Sequence, residues 1–243
     1  MKKGIYILPN ALTLGGMFAG FYAIETAIRG HFSTASWAVL VAMVFDGLDG
    51  FVARLTGSAS RFGIELDSLS DLVAFGVAPA ILIYQASISP FGRVGMLAAF
   101  LYVACGAMRL ARYNVQMVTA ERKSFTGVPI PGAAVILSTF VIYAGKTGFD
   151  LRGSLFVLIL TFVISLLMVS TMRFHGMKEI NFSRRKPFWF LVAVVLIFVI
   201  VAVHPEVALF LLAMAYLGIG LVENAYLQIR KSKKVKNQKE LKA

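Results

Sequence analysis

Four aspartates stand close together in an otherwise apolar chain. The segment 46–71 reads DGLDGFVARLTGSASRFGIELDSLSD, and its aspartates are Asp46, Asp49, Asp67 and Asp71. The first pair is three residues apart and the second pair four apart, so that each pair shares one face of a helix. Carboxylates that converge in one pocket repel each other unless positive charge joins them, and hard divalent cations such as Mg²⁺ or Mn²⁺ suit an all-oxygen site. The spacing therefore predicts a divalent-metal site.

The residues around these acids are small. Between the two pairs, the residues that let the chain turn back are Gly57, Ser58, Ser60 and Gly63. After the first pair, Gly50 and Ala53 leave room for a ligand to approach the backbone, and Arg54 supplies a guanidinium that can bind phosphate oxygens. A pocket with metals, an arginine and an accessible backbone fits a diphosphate better than a bare ion.

Two other interpretations of the acids stay open at this point. They could lie at a membrane interface and be neutralised by basic neighbours such as Arg54 or Arg61. They could also line the ion path of a divalent-cation transporter, because acids inside membrane segments often mark such paths.

The elements that must position the aspartates are membrane helices. The chain has 243 residues, 58% of them hydrophobic, and a mean hydropathy of +0.79. Soluble domains are about 45–50% apolar. The net charge is +12, but repeated apolar runs of spanning length exclude a nucleic-acid-binding protein. The single cysteine, Cys105, cannot form an intrachain disulfide.

The hydropathy pattern predicts an all-α, polytopic membrane protein with about eight transmembrane helices. The predicted spans are 9–28, 34–54, 67–88, 92–111, 129–146, 153–172, 187–203 and 206–228. In this arrangement the first aspartate pair lies at the inner end of the second span, and the second pair opens the third. Residues 1–229 form the transmembrane catalytic domain, and residues 230–243 form a basic cytoplasmic tail that is disordered or rests on anionic headgroups.

The distribution of basic residues predicts the orientation. An even number of spans places both termini on one side. With that side cytoplasmic, all of the 24 lysines and arginines lie inside except Arg29, Arg93, Lys146 and Arg152. This bias predicts a multi-pass protein of the cell (inner) membrane whose termini and active site face the cytoplasm.

The aspartate segment resembles the signature of the CDP-alcohol phosphotransferase (phosphatidyltransferase) family. The matching residues are Asp46, Asp49, Gly50, Ala53, Arg54, Gly63, Asp67 and Asp71. The resemblance implies a helical membrane core and a pocket that holds two divalent cations, Mg²⁺ or Mn²⁺, with Ca²⁺ as a further option. It also implies that Asp46, Asp49, Asp67 and Asp71 are the metal ligands, and that Asp71 is the general base that deprotonates the acceptor alcohol.

The same resemblance implies the residues that bind the CDP-lipid. Those from the signature are Gly50, Ala53, Arg54 and Gly63, and Ser60 stands where related enzymes place a small hydroxyl residue. The family also uses the start of the first helix for the donor, which here supplies Pro9, Asn10 and Thr13.

Two further stretches resemble the branch of this family that uses serine as the acceptor. They are CGAMRLARYN at 105–114 and FTGVPIPG at 125–132, in which Gly132 stands where alanine is expected. The resemblance implies CDP-diacylglycerol and L-serine as substrates and CMP as a product. Arg109 or Arg112, which share a helix face, is expected to bind the serine carboxylate, with Asn114 assisting and Gly127 in a turn that lines the acceptor path.

Other acceptors remain open within the same chemistry. Glycerol 3-phosphate or an inositol phosphate would also require a cationic pocket, and the basic end of the fourth span is equally explained by membrane orientation alone. A homodimer is a further possibility that the sequence leaves open.

Overall fold

We describe the chain from a computed structural model over residues 6–58, 60–118, 127–172 and 203–240, in which 117–118 and 225–240 are described by their backbone only. Within those ranges the chain is helical throughout and contains no strand, which confirms the predicted all-α class. The helices are α1 (Ile7–Ile28), α2 (Phe32–Thr56), α3 (Arg61–Asp71), α4 (Ala78–Ile83), α5 (Arg93–Val118), α6 (Ile130–Thr147), α7 (Leu155–Val169) and α8 (Pro205–Glu240).

Two π-helical turns and one 3₁₀ turn connect α3, α4 and α5. A π-helical turn, Leu72–Val77, joins α3 to α4, and a second one, Tyr84–Ile88, follows α4. A short 3₁₀ turn, Ser89–Phe91, precedes α5. The stretch Arg61–Phe91 is therefore one long helical segment that contains two π turns.

Five helical segments in the described ranges are long and apolar enough to cross a membrane. They are Ile7–Ile28, Arg61–Phe91, Arg93–Gln116, Ile130–Thr147 and Pro205–Asn224. The polytopic membrane class is thus confirmed. The predicted span 187–203 lies, but for its last residue, outside the described residues, and every other predicted span coincides with a helix. The count of eight stays a prediction.

The backbone of residues 230–240 continues α8 as a helix. The division into a transmembrane domain and a basic cytoplasmic tail stays a prediction. Lysine, glutamate and glutamine are good helix formers, and extension of an existing helix avoids the cost of nucleation.

Helices α1 and α2 pack extensively against each other, and small residues of α1 allow the approach. Gly16 lies against Phe45 of α2, and Gly20 lies against the backbone of Ala74 in the first π turn. A Cβ on Gly20 would stand 2.5 Å from Ala74 Cα and 2.8 Å from Ala74 Cβ. Gly16 and Gly20 therefore let α1 pack closely against α2, which carries the first aspartate pair, and against the π turn that follows the second pair.

Replacing Gly20 by alanine is expected to lower the free energy of unfolding by about 1–3 kcal/mol, because the added methyl group meets backbone that cannot rotate away. Gly145 is the matched control, since no described atom lies within 4 Å of a Cβ built there. Gly145→Ala is expected to leave stability unchanged or raise it by up to about 1 kcal/mol. Thermal unfolding in one detergent measures both variants, and equal melting temperatures would contradict the close contact.

Candidate active site

The turn between α2 and α3 brings the two aspartate pairs face to face. Helix α2 ends at Gly57, whose φ of 60° is the left-handed conformation typical of a helix C-terminus. Ser60 then caps α3 by accepting a hydrogen bond from the Gly63 N–H at 3.0 Å. The cap explains why the helix begins at Arg61. Hydropathy had predicted that this span would begin at Asp67.

Three of the four carboxylates form one cluster. Oxygens of Asp46, Asp49 and Asp67 all lie within 4.8 Å of one another, so one cation can contact all three. Asp49 is buried, and the other two are half-buried. A set of carboxylate oxygens at this spacing fits a hard divalent cation, which would offset their mutual repulsion.

Thr13 of α1 connects the two helices that carry the carboxylates. Its hydroxyl donates a hydrogen bond to Asp49 Oδ2 at 2.6 Å, and its backbone carbonyl accepts one from the Ser70 hydroxyl at 3.0 Å. The bond fixes the orientation of the Asp49 carboxylate. Sequence reasoning placed Thr13 with the lipid donor and missed this contact, because the sequence does not show which residues of two separate helices meet.

Asp71 stands apart from the three-carboxylate cluster but close to it. It lines a narrow cavity together with Asp46, Asp49 and Asp67. It also lies within the electrostatic reach of Arg109 on α5. Asp71 is therefore the member of the four that borders both the cluster and the arginine.

A larger cavity of about 200 Å³ opens beside the cluster. All eight residues predicted to bind the CDP-lipid line it: Pro9, Asn10, Thr13, Gly50, Ala53, Arg54, Ser60 and Gly63. Asp49 and Asp67 form the wall that it shares with the cluster. Ser58 and Ile64 also line the cavity, and sequence reasoning had assigned Ser58 only to the turn.

Two glycines, Gly50 and Gly63, form part of the wall of this cavity. A Cβ on Gly63 would stand 3.2 Å from Ser60 Oγ and 3.4 Å from Asn10 Oδ1, so a larger residue would crowd two polar groups of the lining. Arg54 is exposed, and its guanidinium lies 3.4 Å from the place of a Cβ on Gly50. The cavity thus combines accessible backbone with a cation at its solvent side.

A second, smaller cavity of about 40 Å³ contains both candidate arginines. Its lining is Met108, Arg109, Arg112, Tyr113, Gln116, Met168 and Val169. Arg112 is exposed, whereas Arg109 Nε is buried and has no hydrogen-bond partner among the described residues. A buried guanidinium nitrogen without a partner is costly unless a ligand accepts its hydrogen bond.

The other two predicted serine-binding residues do not line this cavity. Asn114 donates a hydrogen bond to Ser68 Oγ at 3.0 Å and fastens α5 to α3. Gly127 has a φ of 83°, and its N–H donates to the Met172 carbonyl at 2.7 Å, so it forms a turn against the end of α7. Sequence reasoning missed Tyr216 of α8, which lies within the electrostatic reach of Arg109.

The arrangement places three chemical functions in one region of the fold. A carboxylate cluster suited to divalent cations lies next to a cavity with phosphate-binding features. Asp71, at the edge of the cluster, interacts electrostatically with Arg109, a half-buried arginine whose Nε is buried. Such a site can hold a diphosphate, accept a proton and bind an anionic group of a second substrate.

Comparisons with known proteins agree with this chemistry. The sequence profile of the CDP-alcohol phosphatidyltransferase family matches residues 6–169. A CDP-diacylglycerol–serine O-phosphatidyltransferase of Helicobacter pylori is 40% identical over 229 residues, covering 93% of this chain and 94% of that protein. A protein of the same name from Methanocaldococcus jannaschii is 37% identical over 221 residues, covering 91% and 96%. An archaetidylserine synthase of Methanothermobacter thermautotrophicus is 41% identical over 169 residues, covering 69% of each chain.

Proposed function

This chain belongs to the CDP-alcohol phosphatidyltransferase family, and on that premise we propose that it is a CDP-diacylglycerol–serine O-phosphatidyltransferase. It transfers a phosphatidyl group from CDP-diacylglycerol to L-serine and releases CMP. The observation that carries the proposal is the shared wall between the carboxylate cluster and the cavity lined by Gly50, Arg54 and Gly63. This wall puts a diphosphate next to a cation site.

The choice of serine rests on the relatives and on the second cavity. The relatives from the three organisms above share serine in their names but differ in the lipid part, phosphatidyl or archaetidyl. The arginine cavity adds a physical reason, since a buried guanidinium nitrogen pairs well with the carboxylate of an amino acid.

In the proposed reaction, Asp46, Asp49, Asp67 and Asp71 hold two divalent cations, Mg²⁺ or Mn²⁺. When bound, these cations neutralise charge on the diphosphate and on the departing phosphate. Thr13 keeps the Asp49 carboxylate in its orientation through the 2.6 Å hydrogen bond. The all-carboxylate donor set fits such ions, because each aspartate offers oxygen ligands alone.

The remaining residues bind the substrates and move a proton. Gly50 and Gly63 let the diphosphate approach the backbone, and Arg54 binds its oxygens from the solvent side. Arg109 binds the serine carboxylate and turns the serine hydroxyl toward Asp71. The serine oxygen forms a bond to the phosphorus that carries diacylglycerol, while the bond from that phosphorus to the CMP oxygen breaks. The hydroxyl proton passes to Asp71, and CMP leaves with the electron pair.

The proposal includes a cellular setting. The protein lies in the cell (inner) membrane, with both termini and the cavity on the cytoplasmic side, where CDP-activated lipid and serine meet. The bias of lysine and arginine supports this orientation. The homodimer stays a prediction.

An acceptor panel tests the function directly. Membranes that contain the protein are expected to incorporate labelled serine into lipid and to release equimolar CMP only when CDP-diacylglycerol and a divalent cation are present. Labelling with glycerol 3-phosphate but none with serine would overturn the choice of acceptor. Metal flux into sealed vesicles without release of CMP would indicate a transporter.

Removal of metal is expected to abolish turnover. EDTA in excess over the divalent cation should stop CMP release, and excess Mg²⁺ or Mn²⁺ should restore it, because the carboxylates repel each other and the diphosphate without a cation. The far-ultraviolet circular dichroism of the same sample controls for unfolding. Full activity in EDTA would contradict the metal site.

A further inference from the structure

The helix that carries Asp67 and Asp71 widens directly after Asp71. In the π turn Leu72–Val77, the Ala78 N–H donates to the Val73 carbonyl, five residues back and not four. Such turns insert one extra residue into an α-helix, and they occur often beside functional sites. Each inserted residue turns the preceding part of the helix by about 100° relative to the part that follows.

A proline explains where this turn forms. In a regular α-helix the Phe75 carbonyl would accept a hydrogen bond from the N–H of residue 79, but Pro79 has no N–H and its ring would press on that carbonyl. Residue 79 therefore cannot supply the α-helical donor to this carbonyl.

Tyr102 of α5 supplies the missing donor. Its hydroxyl donates to the Phe75 carbonyl at 3.1 Å, and the side chain is 0% exposed. Phe75 is itself buried, with 1% exposure. A buried carbonyl that loses its partner is costly, so this hydrogen bond favours the widened turn over a regular one.

The widened turn decides which way the second aspartate pair faces. On one side of it, Ala78 and Leu82 are fully buried in the core and anchor α4. On the other side, Asp67 meets Asp46 and Asp49 within 4.8 Å. If the π turn contracted to a regular α-helix, Asp67 would rotate by about 100° relative to α4 and away from Asp46 and Asp49.

We propose that Tyr102 is a positioning residue: its hydrogen bond to the Phe75 carbonyl maintains the π turn that aims Asp67 and Asp71 at the metal site. The proposal deepens the proposed function and rests on it. Tyr102 lines none of the three cavities described above, and it acts through the backbone of Leu72–Val77.

The first test is Tyr102→Phe, which removes the hydroxyl and keeps the ring. Binding of Mn²⁺ to the purified protein in detergent, followed by the EPR signal of the free ion, is expected to weaken about tenfold or more, as for groups that orient metal ligands. The Mn²⁺ concentration for half-maximal turnover should rise in parallel, while the KM for serine stays unchanged. The matched control is Tyr143→Phe, a half-buried tyrosine that stacks on Phe210 near the C-terminal end of α6. This control should bind Mn²⁺ as the unmodified protein does.

Pro79→Ala separates positioning from mere stability. Alanine restores the N–H at position 79, which in a regular α-helix would donate to the Phe75 carbonyl, so the turn can contract and the tyrosine hydroxyl becomes redundant. Mn²⁺ binding should weaken in Pro79→Ala, and adding Tyr102→Phe to it should weaken binding little further. Unchanged Mn²⁺ affinity in Tyr102→Phe, with only a lower melting temperature, would overturn the positioning role and leave the proposed function standing. An unmodified protein that neither binds Mn²⁺ nor releases CMP would refute the proposed function itself.

Discussion

Asp67→Asn is expected to lower the rate of CMP release by about a thousandfold or more. The amide keeps the size of the side chain but removes one negative ligand from a cluster whose oxygens lie within 4.8 Å of one another. Metal ions at such sites supply several kcal/mol of charge stabilisation, and each 1.4 kcal/mol is worth a factor of ten in rate. Labelled serine with CDP-diacylglycerol, at saturating and at limiting Mn²⁺, measures the loss.

Glu65→Gln provides the matched control for this prediction. Glu65 is an acid on the same helix, two residues before Asp67, but it is exposed and lies 3.4 Å from Asn114, outside the cluster. Its amide variant should turn over within about twofold of the unmodified protein, as surface substitutions have small effects. If Asp67→Asn were as active as Glu65→Gln, Asp67 would have no place in the metal site.

Arg109→Gln is expected to lower kcat/KM for serine about 100-fold, mainly through the KM for serine. Truncating one partner of a buried charged pair costs several kcal/mol, and the buried Nε of Arg109 has no hydrogen-bond partner in the described part of the chain. The KM for CDP-diacylglycerol should change little, because Arg109 does not line the larger cavity. Initial rates with each substrate varied in turn separate the two constants.

Arg112→Gln distinguishes the two arginines that the sequence could not separate. Both line the small cavity, but Arg112 is exposed, and water already solvates its guanidinium. Its loss should change the KM for serine by no more than about threefold. The reverse order, with Arg112 the more sensitive, would assign the serine carboxylate to the outer arginine.

The spacing of the aspartates carried most of what the sequence predicted about the site. A step of three residues places Asp46 beside Asp49 on one helix face, and the small residues of the turn that follows predicted that the second pair would face the first, as Asp67 does. The resemblance to a family signature added the residues of the larger cavity, all of which the structure brings together. Hydropathy alone predicted the all-α membrane class, since spanning helices need only length and apolar composition.

Contacts between distant parts of the chain escaped prediction. Asp71 shares its spacing with Asp67, yet it borders the cluster and lies near Arg109 of α5, a neighbour that spacing along one helix could not predict. Asn114 and Gly127 belong to suggestive motifs, but tertiary neighbours engage them: Ser68 for the first and Met172 for the second. Periodicity describes one helix at a time and contains no information on such partners.

The hydrogen bonds of Thr13 tie the carboxylate cluster to the orientation of the first span. This threonine binds Asp49 through its hydroxyl and Ser70 through its carbonyl. It therefore contacts both helices that carry the aspartates. The tilt of a spanning helix follows the thickness of the surrounding hydrocarbon. A change in the tilt of α1 would therefore disturb the hydrogen bonds to Asp49 and Ser70 together, and with them both helices that carry the aspartates.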